Sequence, residues 1–266
     1  MMNRTLLAAI ISGLIFFIAN VHAAGPPPEA QTRYPGAAGD WTVKIGAMGM
    51  YKPAYEGSDD YKSHGRPLID IAWRDTFFLN PYKGLGGYFL NSNNMRLGAS
   101  MAYAFGRDES DSNDLAGLGD IDAGATANAL FEWKSQNLKF DARYQRQIIG
   151  EDTGFQAHAR LGYRLRMGKK TMLMPSAQIT FSDSEYMARY FSVSPAQSAA
   201  SGHSEYDAGP GLKSIKIQIM AVHRLGRRWG AQVMASYALL IGDAADSPIV
   251  KNEGQCLFGV GLSYTF

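Results

Sequence analysis

Histidine and serine side chains can act together as base and nucleophile, which is the chemistry of a lipid hydrolase. The histidines of this chain are His22, His64, His158, His203 and His223. We assign His64 and His203 to loops. His203 precedes Ser204, but adjacency along the chain does not supply the geometry of a nucleophile and its base. We therefore predict no catalytic residue, and a hydrolase acting on membrane lipid is the weakest alternative.

Acidic residues crowd the segment from Gly106 to Asp120 and suggest a divalent cation. An EF-hand is excluded because Leu115 and Ala116 occupy positions that require an oxygen ligand and a glycine. Cys256 is the single cysteine, so the sequence offers no disulfide within the chain and no pair of thiols for a metal. We predict no metal site and no cofactor, and we interpret the acidic segment as a solvated loop.

Basic side chains recur on one face of the predicted strands. This row consists of Arg96, Lys139, Arg143, Arg160, Arg164 and Arg166. Asp70, Asp122, Glu132 and Asp141 share the same face. If the face lines the interior of a barrel, an excess of positive charge would attract anions to a pore. Alternatively, the basic and acidic side chains pair and fill a narrow interior.

The strand pattern is clearest at the end of the chain. From Gln255 to Phe266, apolar residues alternate with residues that are mostly small. A period of two places the two sets on opposite faces of a strand. An apolar face that ends in aromatic residues is typical of an outer-membrane barrel, where it meets lipid while the small face meets the lumen.

Similar alternation in the preceding chain predicts an all-β, transmembrane, antiparallel up-and-down barrel of about 12 strands. Long connections at residues 52–66, 106–120, 182–214 and 242–254 alternate with short ones, as expected if the N- and C-termini are both periplasmic. Short strands between residues 67 and 91 leave ten strands as an alternative. Pro175 lacks the amide hydrogen that a closed ladder uses, so a local break is expected there.

Tryptophans mark one rim of this predicted barrel. Trp41, Trp73, Trp133 and Trp229 all fall at the periplasmic ends of strands in the proposed topology. Aromatic residues concentrate at the two membrane interfaces of outer-membrane barrels. We therefore predict that the four tryptophans form the periplasmic aromatic girdle.

The chain divides into three segments. Residues 1–23 have the pattern of a signal peptide, with Arg4 before an apolar run and small residues ending at Ala23. Residues 24–40 are rich in Pro, Gly and Ala and are predicted to be a flexible periplasmic lead-in, and residues 41–266 form the barrel. The 26 basic and 24 acidic residues give no indication of nucleic-acid binding. We expect a Gram-negative outer-membrane protein in contact with lipid and lipopolysaccharide.

Four short motifs resemble one protein family. They are PAYEGS at residues 53–58, LAGLGDI at 115–121, YFSVS at 190–194 continuing to SGHSEY at 201–206, and DSPIV at 246–250. Together with the terminal Tyr264-Thr265-Phe266, they are similar to the MltA-interacting protein (MipA) or OmpV family of outer-membrane proteins. Ser192 departs from the family pattern, where glycine is expected. The motif residues assigned to outer loops are Pro53, Tyr55, Gly57, Gly117, Gly119, Asp120, Tyr190, Phe191, Ser247 and Pro248.

The resemblance implies an interaction protein rather than an enzyme. It implies a scaffold that brings a lytic murein transglycosylase to a bifunctional penicillin-binding protein during peptidoglycan remodelling. The motif residues occupy outer loops in the predicted topology, so they are expected to fold over the mouth of the barrel rather than to bind a periplasmic partner. A channel for small solutes or antibiotics with a basic lumen is the main alternative.

Overall fold

The computed structural model describes residues 40–266. The predicted signal peptide and the predicted lead-in up to residue 39 lie outside the described residues. None of the helices in residues 40–266 is long and apolar enough to cross a membrane.

Thirteen strands make up the sheet. They are β1 (Trp41–Pro53), β2 (Tyr61–Trp73), β3 (Phe77–Asn80), β4 (Gly84–Asn91), β5 (Met95–Ala104), β6 (Gly124–Ser135), β7 (Leu138–Ile149), β8 (Phe155–Tyr163), β9 (Leu165–Met167), β10 (Thr171–Ser182), β11 (Gly211–Arg224), β12 (Trp229–Leu240) and β13 (Gly254–Thr265). The pairs are antiparallel, and β1 pairs with β13, which closes the sheet into a barrel. β8 and β9 both pair with β10 and form one span interrupted at Arg164, so the barrel has twelve spans, as predicted, rather than ten.

The interruption at Arg164 lies beside the predicted break. Ser176 pairs with Gly162 on one side of the interruption, and Leu173 pairs with Leu165 on the other. Pro175 lies between these two pairs and has no amide hydrogen to donate. On its other edge β10 continues to pair with β11 through this region, so strand pairing is interrupted on only one edge of β10.

The alternation in β13 produces two faces, as the sequence predicts. Phe258, Val260 and Leu262 are 55%, 64% and 45% exposed, whereas Gly259 and Gly261 between them are buried. Exposed apolar side chains on a closed barrel form the surface that meets lipid. The small residues of β13 consequently face the lumen.

The four tryptophans lie at the same rim, where the connections are short. Trp41 begins β1 and Trp73 ends β2, and their ring centroids are 6.3 Å apart. Trp229 begins β12, and its ring centroid lies 5.1 Å from that of Tyr264. Trp133 lies near the end of β6. We call this rim the short-turn end and the opposite rim the long-loop end.

The predicted loop at residues 52–66 is too long, whereas the predicted connection at residues 182–214 is present and contains two short helices. β2 begins at Tyr61, so the loop after β1 covers only residues 54–60, and His64 belongs to a strand; Pro53 is the last residue of β1. The segment 182–214 contains α1 (Ser184–Phe191) and α2 (Pro195–Ser201). Asp183 caps α1, and Ser194 with Gln197 forms a capping box on α2. These side chains satisfy helix amides that would otherwise lack partners, which stabilises short helices in this loop.

Candidate functional site in the lumen and mouth

The turn between β3 and β4 bends into the lumen. β3 covers only the last three residues of β2, from Ile71 to Trp73. The turn that follows places Tyr82 and Lys83 against side chains of β5, β6, β7 and β8. Arg143 Nη1 donates a hydrogen bond of 2.7 Å to the Tyr82 carbonyl, and Ser100 Oγ donates one of 2.6 Å to the Lys83 carbonyl. We call residues 81–83 the lumenal turn.

Two guanidinium groups hold the ring of Tyr82. The guanidinium carbons of Arg143 and Arg160 each lie 4.6 Å from the ring centroid. Cations attract the negative face of an aromatic ring, and Tyr82 keeps this contact although it is 40% exposed. The ring therefore offsets part of the repulsion between the two positive charges and is fixed by them.

Glu132 of β6 is the centre of the polar network around this turn. It is 3% exposed and forms an ion pair with Lys83. Tyr88 donates a hydrogen bond of 2.9 Å to the same carboxylate, and Lys139 Nζ lies 3.4 Å away. A buried carboxylate needs this number of partners because burial removes its hydration.

A second carboxylate extends the network along the lumen. Arg160 donates two hydrogen bonds to Asp141, of 2.7 Å from Nε and 2.5 Å from Nη2. Lys139 lies between the two carboxylates, with Nζ 2.9 Å from Asp141. The cavity left among the lumenal turn and these side chains is about 10 Å³, room for one water molecule at most.

The long loops and the two helices form a cap over the long-loop end. One of its two apolar clusters comprises Ala54, Tyr55, Leu115, Leu118, Val193 and Ile249. The other comprises Met187, Phe191, Ala208, Leu240 and Ala244. Segments far apart in sequence thus bury apolar area together, which is the main contribution to ordering loops of this length.

Polar contacts tie the cap together. Tyr55 donates a hydrogen bond of 2.9 Å to the Ile249 carbonyl, and burial raises the pKa of this phenol, which keeps it protonated as a donor. Ser247 donates one of 2.5 Å to the Phe191 carbonyl. Gly57 adopts φ +105°, and a side chain there would lie 2.7 Å from Val250 Cγ2. Each of these contacts joins segments of the cap that are far apart in the sequence.

The basic row predicted from the sequence divides into two groups in the structure. Lys139, Arg143 and Arg160 belong to the network at the lumenal turn, and the Arg96 guanidinium carbon lies 5.4 Å from the Tyr88 ring centroid. Arg164 and Arg166 lie nearer the short-turn end. Arg166 is exposed.

All the motif residues lie at the long-loop end. Tyr55, Phe191 and Ser247 are buried in the cap. Gly117 and Gly119 adopt positive φ, and both donate backbone hydrogen bonds to Glu109. The structure thus brings together four motifs that are separated by up to about two hundred residues in the sequence.

The arrangement of motifs in one cap agrees with a comparison against family models. The model described as "MltA-interacting protein MipA" matches residues 45–266. This chain belongs to the MipA family. The matched residues include nearly the whole barrel and every motif of the cap, from Pro53 to Pro248.

Relatives of this MipA-family chain are outer-membrane proteins. The outer membrane protein OmpV of Vibrio cholerae is 26% identical over 239 residues, which cover 86% of this chain and 87% of OmpV. Omp26La of Vibrio anguillarum is 25% identical with the same coverage. Together with the closed barrel, these relatives place the protein in the outer membrane.

Among solved structures, the chain is similar to two porins. The NanC porin gives a TM-score of 0.47 at 10% identity, with 84% of this chain and 98% of that chain covered. The KdgM porin gives 0.45 at 9% identity, with 84% and 99% covered.

Sequence reasoning missed Tyr82, Lys83 and Tyr88 as parts of the lumenal network. The alternation that identified the basic row gives the direction of strand side chains only, and residues 81–83 belong to a turn. Asn80 Oδ1 accepts hydrogen bonds from the Tyr82 and Lys83 amides, at 3.1 and 2.8 Å. The Asn80-Pro81 dipeptide is a local turn signal that could have placed the turn.

Proposed function

We propose that this protein acts as an interaction protein of the outer membrane and not as an enzyme or an open pore. The observation that supports this proposal most directly is the lumenal turn, which projects into the lumen and is held there by Arg143, Arg160 and Glu132. A barrel obstructed in this way serves to present a binding surface at the membrane rather than to conduct solute.

We further propose that the short-turn end and both termini face the periplasm, with residues 1–23 removed as a signal peptide. In this orientation residues 24–40 and two basic turns face the cell wall. Lys169 with Lys170 and Arg227 with Arg228 are exposed in these turns. Their charge suits an acidic partner surface. The family's description as MltA-interacting supports a lytic murein transglycosylase as that partner. We propose a bifunctional penicillin-binding protein as a second partner on the family resemblance alone.

A channel for small anionic solutes or antibiotics is the second candidate function. The observation in its favour is the positive charge of Arg164 and Arg166 beyond the turn, which would draw anions toward the lumen.

The two functions differ in ion conductance. We expect the refolded protein to be silent in a planar bilayer, because the lumenal turn is fixed within the lumen by hydrogen bonds from Arg143 and Ser100. Replacing both Tyr82 and Lys83 by glycine should produce steady conductance steps, while Tyr103→Gly, on the exposed outer face, should remain silent. Steady anion-selective steps from the native protein would contradict the interaction proposal and favour the channel.

Capture of the transglycosylase tests the proposed surface. We expect Lys169→Glu with Lys170→Glu to weaken capture by refolded protein in lipid vesicles roughly tenfold, which corresponds to about 1.4 kcal/mol. The matched control is Lys251→Glu with Lys62→Glu, the same number of charge reversals at the opposite rim. Equal capture by both variants would contradict the assignment of the short-turn end as the binding surface.

A further inference from the structure

Methionine side chains gather on one part of the lumenal wall. Six of the ten methionines in residues 40–266 face the lumen, namely Met48, Met50, Met172, Met174, Met220 and Met234. Four of these share one row across the barrel, where Met174 lies opposite Met220 and Met220 opposite Met234. The row continues through Gly259, which lies between Met234 and Met50.

Three of these thioether side chains converge over Gly259. A methyl group placed on Gly259 would meet Met48 Sδ at 3.4 Å, and Met50 Cγ and Met234 Cε both at 3.6 Å. Each of these carbon atoms is bonded directly to its sulfur. The three sulfurs therefore surround one small volume of the lumen, which is left free because residue 259 has no side chain.

An imidazole lies beside this cluster. His64 is opposite Met50 in the pairing of β1 with β2, so the two side chains point to the same face. His64 Nε2 is buried and has no hydrogen-bond partner among the described residues. A buried nitrogen without a partner is uncommon and calls for a ligand or another explanation.

We propose that Met48, Met50 and Met234, with His64, form a binding site for a soft monovalent cation of the Cu(I) class. Thioether sulfur selects Cu(I) over harder ions, and imidazole is also a copper ligand. Arg66 lies opposite Met48, and its positive charge opposes every cation but opposes a divalent ion more strongly than a monovalent one. No group of three or more His, Cys, Asp or Glu in residues 40–266 is placed to hold a metal, so the thioether cluster is of a different kind.

A packing role for the same methionines makes a different prediction. Methionine also fills irregular gaps in protein interiors, and leucine is similar in volume. Replacement of methionine by leucine therefore preserves packing while it removes the sulfur donors. A packing cluster would tolerate the change without consequence for metal, whereas a metal site would not.

The test measures Cu(I) binding to the refolded protein, without oxygen and with ascorbate, by competition with a chromophoric chelator. All variants carry Cys256→Ser, because a free thiol binds Cu(I) on its own. We expect one Cu(I) per barrel, and at least about tenfold weaker binding in Met48→Leu with Met50→Leu, since loss of even an outer-shell partner costs about 10–100-fold. Met101→Leu with Met167→Leu, on the exposed outer face, is the matched control and should bind as the parent does.

Three outcomes would overturn the assignment. They are absence of Cu(I) binding by the parent, full binding by the lumenal double variant, and equal loss in the outer-face control. Unchanged affinity in His64→Ala would remove the imidazole from the ligand set. Heat-modifiable migration in gels shows that each variant is a folded barrel, so a loss of binding is not mistaken for a loss of structure. This proposal does not depend on the interaction function, since capture and Cu(I) binding are measured separately.

Discussion

Replacing Glu132 by alanine is expected to destabilise the barrel by about 3–5 kcal/mol, because it leaves a buried cation without its partner. Lys83 approaches Glu132 inside the lumen, and its side chain is 19% exposed. Tyr88 would also lose the acceptor of its hydroxyl. The loss is measured as the free energy of unfolding in a urea titration of the protein in lipid vesicles, followed by tryptophan fluorescence.

A half-exposed ion pair of the same barrel supplies the control. Lys44 Nζ lies 3.6 Å from Asp70, whose side chain is 48% exposed. Asp70→Ala should cost only about 0–1 kcal/mol, since water and salt screen such a pair. Glu132→Leu combined with Lys83→Leu should recover part of the loss, because no unpaired charge remains at residue 83. A similar cost for Glu132→Ala and Asp70→Ala would show that burial of the network does not increase its contribution to the stability of the barrel.

Replacing Leu161 by arginine is expected to cost about 2–4 kcal/mol, the cost of a charge that faces lipid near the bilayer midplane. Leu161 is 46% exposed and lies in the middle of the span formed by β8 and β9. Its side chain points outward, in the same row as Phe140. The free energy of folding into lipid vesicles measures the loss.

Met167→Arg is the matched control for depth. Met167 is 57% exposed on the same outer face, but it ends the span at the short-turn rim. Near the interface the cost of arginine falls to about 0–1 kcal/mol. If Leu161→Arg and Met167→Arg proved equally tolerated, the outer face of this span could not be the surface that meets lipid.

The sequence predicts the wall of the barrel well because the wall follows one local rule. Side chains in β13 and β12 alternate between lipid and lumen, and the pattern repeats in the other strands. Each strand can therefore be predicted from its own residues. The tryptophans at one rim add independent evidence, since their position depends on the membrane and not on neighbouring residues. The rule fails at the start of β2, where Tyr61 to Arg66 are mostly polar and the sequence predicts a loop.

The lumenal site could not be predicted in the same way. The contact of Tyr82 with Arg143 and Arg160 depends on how a short turn bends in three dimensions. The convergence of Met48, Met50 and Met234 over Gly259 depends on the register of two strand pairings, which alternation alone does not determine. The helix α2, by contrast, had a local signal in Ser194 and Gln197 that predicts a capping box.

The barrel can close only when its last strand is present, because β1 pairs with β13. Eight residues of β1, from Lys44 to Tyr51, find their partners in β13, more than two hundred positions later. Without β13, both β1 and β12 would present rows of unpaired amides and carbonyls, which lipid cannot satisfy. A truncated chain that lacks β13 therefore cannot form a stable barrel in the bilayer. Such a chain stays outside the membrane, where proteases can degrade it.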